Sequence, residues 1–160
     1  MGIECMLSAI RAEDAHRILE DSDGMESLVG GQRVGMFVSL EKAWHGLHYL
    51  LTGSAEEAPA PLGFLVAGGE PIGDDLGYGP ARLFAPRDVR HLHIALEAVS
   101  EDTLWSRFDP AAMSSAGVYP DVWGEAESDL RDEYVTYFHQ LKELIAHANE
   151  QGHGVLVILT

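Results

Sequence analysis

Between Leu40 and Leu51 the apolar residues Leu40, Ala43, Trp44, Leu47, Leu50 and Leu51 recur at the helical period and fall within about 60° of one direction. This spacing predicts an amphipathic helix over 40–51, with Ser39 as its N-cap and Thr52-Gly53-Ser54 as its stop. A longer helix is predicted from Glu125 to about Glu150. There Leu130, Tyr134, Tyr137, Phe138, Leu141, Leu144, Ile145 and Ala148 share one face. Gly152-His153-Gly154 ends it, and the run Val155-Leu156-Val157-Ile158-Leu159 reads as a strand buried on both faces.

The remaining elements are shorter. A strand is expected over 2–8, a helix over 11–20, a loop over 21–31 and a strand over 35–39. Residues 55–61 and the stretch Gly68 to Pro80, which contains five glycines and two prolines, read as loops. A strand over 81–85 precedes a helix opened by Pro86 and running to about Val99, and short helices are expected over 101–108 and 110–115. The order implies one α/β domain over 1–160, a small mixed β-sheet packed with helices, with α+β as the alternative. Strand order and direction stay open.

Charge narrows the possible partners. Twenty-six acidic residues against 10 basic ones give a formal charge of −16, and Lys42 and Lys142 are the only lysines. Nucleic acid and anionic membrane are not expected as partners, because binding a polyphosphate relies on a row of Lys and Arg contacts. The densest acidic stretch, Asp121, Glu125, Glu127, Asp129, Asp132 and Glu133, reads either as a solvated face at a helix start or as a surface for a basic protein. No apolar run approaches the ~20 residues that span a bilayer, no basic leader precedes the first apolar residues, and the one cysteine, Cys5, has no internal partner. A cytoplasmic protein is expected.

Helix 40–51 carries Glu41, His45, His48 and Thr52 on the side away from its apolar stripe, a polar ridge that could converge on zinc. The spacing is not that of a metalloprotease, and polar surface is the better account, so no metal and no organic cofactor is expected. In the stretch from Gly73 to Arg82, glycines permit close backbone approach, and Arg82 would pair with Asp74, Asp75 or Asp121, or face an acidic ligand. Tyr119-Pro120-Asp121-Val122-Trp123 sets two aromatics around a rigid turn. Together Trp44, His48, Asp74, Tyr78, Arg82, Tyr119, Asp121 and Trp123 form the candidate binding pocket. No motif assigns a catalytic residue.

These segments resemble the YfbM-like family of small bacterial proteins of unknown function. The resemblance rests on Met1-Gly2 before the first strand, Leu40 to Gly53 with its Trp44-His45 and His48 spacing, Gly68-Gly69-Glu70, Gly73 to Arg82, and Tyr119 to Trp123, followed by the C-terminal helix and strand. It departs at Glu41, where the family usually has aspartate. The resemblance implies an α/β fold and no established reaction. Two functions lead: a non-enzymatic binding or regulatory domain, immunity-like, that meets a basic protein partner, and a small-ligand binder or enzyme using the pocket above, with a small acidic molecule as ligand; a metal-dependent hydrolase ranks third.

Overall fold

A computed structural model describes residues 2–20 and 36–160. Five strands, β1 (Cys5–Ile10), β2 (Phe37–Glu41), β3 (Glu70–Ile72), β4 (Ala81–Phe84) and β5 (Gly154–Leu159), form one sheet in the order β2-β1-β5-β4-β3. Every described pairing is antiparallel, so the parallel part of a mixed sheet does not occur among these strands and the layout is that of the α+β alternative. The helices are α1 (Ala12–Glu20), α2 (Trp44–Thr52), α3 (Pro86–Glu97), α4 (Glu101–Trp105), α5 (Pro110–Ser115) and α6 (Glu127–Gln151), with a 3-10 turn at Leu62–Leu65. The loop expected over 21–31 lies outside the described residues.

Alternation along the strands divides the core. Cys5, Leu7, Ala9, Val155 and Val157 face the larger cluster, which α6 closes with Leu130, Tyr134, Phe138, Leu141, Ile145 and Ala148. Ile10, Ile72, Ala81, Leu83, Leu156 and Ile158 form a second cluster on the opposite face. The C-terminal run therefore has to be apolar at every position, because β5 is the central strand and is buried on both sides.

Several ends shift by a few residues, as at β1, expected over 2–8 and observed over Cys5–Ile10, and two differences go further. Leu40 satisfies both the strand period, with Val38, and the helix period, with Ala43 and Trp44, and the sheet claims it: β2 runs to Glu41 and α2 begins at Trp44. Ser39 is then no N-cap; its hydroxyl accepts the Glu41 amide at 3.2 Å, and Ala43 precedes α2 without a side-chain cap. The second difference is β3, which lies inside the stretch read as loop. It is a three-residue edge strand that includes Pro71, a residue tolerated only where a missing ladder N–H costs little.

Candidate functional site

The polar ridge of α2 is turned inward. His45 Nε2 donates to Ala55 O at 2.7 Å, and His48 Nε2 donates to Glu56 O at 2.7 Å. Thr52 adds a back-bond from its hydroxyl to His48 O at 2.8 Å, and its oxygen accepts the Ser54 amide at 3.2 Å. The ridge thus clamps the Ser54–Glu57 loop onto the helix. His45 Nδ1 is occupied too, accepting the Tyr119 amide at 2.9 Å. A metal would have to displace these bonds, and Glu41, the third ligand considered, sits on β2 rather than on the helix. Among the described residues no three His, Cys, Asp or Glu side chains gather as a metal cluster. His48 is fully buried with Nδ1 unpartnered, and burial pushes its pKa below the ordinary imidazole value.

The eight sequence candidates do not gather at one site. Trp44 and Tyr119 join His45: Trp44 Nε1 donates to Ile3 O at 2.9 Å, the Ile3 amide donates to the Tyr119 hydroxyl at 3.0 Å, and Trp44 stacks on His45 with centroids 5.1 Å apart. Gly2 leaves the room this needs, since a Cβ there would lie 2.2 Å from the Tyr119 oxygen. Trp123 is buried against Tyr134 and donates to Val118 O at 2.9 Å, while Asp121 stays at the surface near Ser114. Asp74 and Tyr78 stand in solvent, Tyr78 being 56% exposed, and Asp75 is used up accepting the Gly77 and Gly79 amides at 2.7 and 3.0 Å.

Arg82 is held differently from the expected carboxylate pairing. Its Nη1 donates to Phe64 O at 2.9 Å and Gly68 O at 3.1 Å, and Nη2 donates to Leu65 O at 2.8 Å. The reason is local. The end of a 3-10 turn leaves carbonyls without partners inside the turn, and a guanidinium fork can satisfy several at once.

A cleft that the sequence does not single out lies elsewhere. It measures about 440 Å³ and is lined by Glu4, Glu41, Glu125 and Glu133, with Lys42 and the rings of Tyr134 and Tyr137. Tyr137 donates its hydroxyl to Glu41 Oε2 at 3.1 Å. Desolvation raises the Glu133 pKa, and the carboxylates of Glu125 and Glu41 raise it further. Desolvation and the bond to Glu41 push Tyr137 up to about 12. Glu41 is also the one described non-glycine residue with positive φ, at 47°, opposite the bulge between Cys5 and Met6. An unusual backbone state thus aims this carboxylate. A second cleft of about 390 Å³ is mainly apolar, with Phe64, Phe84, Leu92 and Pro61 among its walls and Asp88 and His91 on the α3 side. None of the eight candidates lines either cleft.

With this geometry in view, the comparison with known proteins is informative at the level of family. The family described as "Domain of unknown function (DUF1877)" matches residues 1–158. The chain belongs to the DUF1877 family. The structure is similar to one described as "The Crystal Structure of a Protein of Unknown Function YfbM from Escherichia coli", with TM-score 0.79 and 22% identity over 98% of this chain and 99% of that one. The YfbM-like resemblance holds, and at this identity it speaks for the fold. No curated protein matches.

For a DUF1877 chain the acidic cleft is thus judged on its own chemistry. Four glutamates against one lysine give a strong negative potential in a cleft open to solvent. The Tyr137 ring beside those carboxylates supplies a π face that attracts an ammonium or guanidinium group, while Tyr134 lies beneath it, buried in the core. Glu125 and Glu133 belong to the acidic stretch singled out from sequence. Glu41 and Tyr137 reach them from β2 and from the edge of the apolar face of α6, a junction that no local pattern reveals.

Proposed function

We propose that this DUF1877 chain is a non-enzymatic binding domain of regulatory or immunity-like type, which takes a basic side chain of a protein partner into its acidic cleft. The observation behind this reading is the convergence of Glu41, Glu125 and Glu133 on one cleft, where burial first and then repulsion from the other two carboxylates disfavour the ionised form of Glu133. A lysine or arginine entering between these carboxylates and the Tyr137 ring relieves that repulsion. The overall charge of −16 steers a basic partner towards the domain.

The test is titration of N-acetyl-arginine amide, N-acetyl-lysine amide and a short Arg/Lys peptide into the protein at low salt. Saturable binding is expected. It should weaken as salt rises to about 0.3 M, where the Debye length shortens to several ångströms, and it should fall at least fivefold in Glu41→Gln/Glu133→Gln. Affinity should also decline as pH drops through the raised Glu133 range, because a proton then competes with the cation. No saturable binding at low salt, or binding indifferent to the double substitution, would sink the proposal. The alternative of a small-ligand binder has the apolar cleft between Phe64, Phe84 and α3 in its favour, a volume suited to a small organic molecule.

A further inference from the structure

We infer that His45 is a pH-sensitive tie, which holds the Ser54–Glu57 loop to α2 in either charge state but the Tyr119–Pro120 segment only while its imidazole is neutral. Its two ring nitrogens face opposite kinds of partner. Nε2 meets a carbonyl, Ala55 O at 2.7 Å, and so carries the hydrogen; Nδ1 meets an amide N–H, that of Tyr119 at 2.9 Å, and so presents its lone pair. A proton added to Nδ1 would set one donor against another. The imidazolium keeps the bond to Ala55 and loses the one to Tyr119.

What is released matters because Pro120 and Val122 form one wall of the acidic cleft. Two links would still restrain Tyr119: its hydroxyl accepts the Ile3 amide, and its ring packs against Trp44 at 6.2 Å. Acid therefore loosens the backbone of this wall while the side chain stays anchored. The regulatory consequence rests on the proposed role of that cleft. The tie itself does not.

Several elements bring titratable or charged groups to the surroundings of the ring. On α2 the nearest titratable group is His48, with ring centroids 6.4 Å apart; its Nε2 is committed to Glu56 O and its buried Nδ1 has no partner. From the α4–α5 connection Arg107 brings a guanidinium to the last carbonyls of the helix, donating to Leu50 O at 3.1 Å and Leu51 O at 2.6 Å. The clamped loop contributes Glu56 and Glu57, the 117–121 segment Asp121, and the N-terminal residues Glu4; all four carboxylates belong to exposed residues. Lys42 precedes the helix and is exposed as well.

The experiment is a ligand-free NMR titration from pH 8 to 5. Imidazole nitrogen shifts report the tautomer of His45, and amide exchange reports protection at Tyr119 relative to the intrinsic rate at each pH. We expect the Nε2–H tautomer at pH 8. Because only the neutral ring makes the bond, the ratio of tied to untied segment should fall by up to tenfold per pH unit once the untied ring takes up its proton. His45→Asn, whose carboxamide oxygen can still accept the Tyr119 amide but cannot titrate, should abolish the pH step. An Nδ1–H tautomer at pH 8, or protection that stays flat in the wild type, would overturn the inference, and so would a step that persists in His45→Asn. These readouts use no ligand, so they stand even if the cleft binds no cation, and cation binding without the step would discard the tie alone.

Discussion

Replacing Arg82 with alanine removes three hydrogen bonds from one cation to the carbonyls of Phe64, Leu65 and Gly68. Bonds that involve a charged group contribute roughly 1.5–3 kcal/mol each, so simple addition would give about 4.5–9 kcal/mol. Two effects reduce that sum. Gly68 is exposed, so water can replace the guanidinium at its carbonyl, and the substitution also removes the desolvation cost of a partly buried charge, which lowers the Arg82 pKa. Phe64 and Leu65 are buried, and their carbonyls have no such replacement. The expected loss is therefore about 2–4 kcal/mol, which for a chain of this size lowers Tm by roughly 5–15 °C. Urea unfolding followed by tryptophan fluorescence measures it. Arg82→Lys should recover less than half, since an ammonium cannot reproduce the fork, and Asp75→Ala should add to Arg82→Ala without coupling because the two do not pair. A loss below about 1 kcal/mol would refute the carbonyl cradle, and strong coupling to Asp75 would restore the ion pair suggested by the sequence.

Two further predictions concern the packing and titration of α2. Gly46→Ala would bring a methyl within 2.5 Å of Trp123 and 2.7 Å of Tyr134, both buried, so despite alanine's better helix propensity it should destabilise by at least about 2 kcal/mol; a neutral or stabilising result in urea melts would contradict the packing. For His48, whose folded pKa is lowered, neither state holds the proton above about 6.5 and stability is independent of this group there. As pH falls below 6.5 the unfolded chain takes up the proton first, so stability should drop by up to about 1.4 kcal/mol per pH unit until the folded pKa is reached. Urea melts from pH 7.5 to 5 should show this slope as the difference between wild type and His48→Asn, and equal slopes would contradict it.

The elements easiest to read were those whose burial is fixed by their own periodicity. On α6 the face defined by Leu130, Tyr134, Phe138, Leu141 and Ile145 is the buried one, and the apolar run at 155–158 is the central strand. Two periods overlap at Leu40, and at Glu70–Ile72 glycine and proline hide a pairing made only by a neighbour, so neither element is legible from its own residues. The site was less legible still. The shared face of His45, His48 and Thr52 was visible, but not the carbonyls of Ala55 and Glu56 that complete it, because those depend on how a loop closes back on its helix. Arg82 stood out by its rarity among acidic neighbours, yet its partners are main-chain atoms, which carry no residue signature.

By itself the sequence determined the mix of small sheet and covering helices, the core faces of the main helices and central strand, the negative charge and the YfbM-like family. Amphipathic period and charge are properties of neighbouring residues, so they survive without any knowledge of the fold. Strand order, the antiparallel directions, the carbonyl cradle of Arg82 and the meeting of Glu41 with Tyr137 across 96 positions were decided only in the tertiary structure. Closing a long loop costs little more than closing a short one, so the chain alone leaves many distant pairings nearly equal. What separates them is whether two cores fill, and buried polar groups find partners, at the same time.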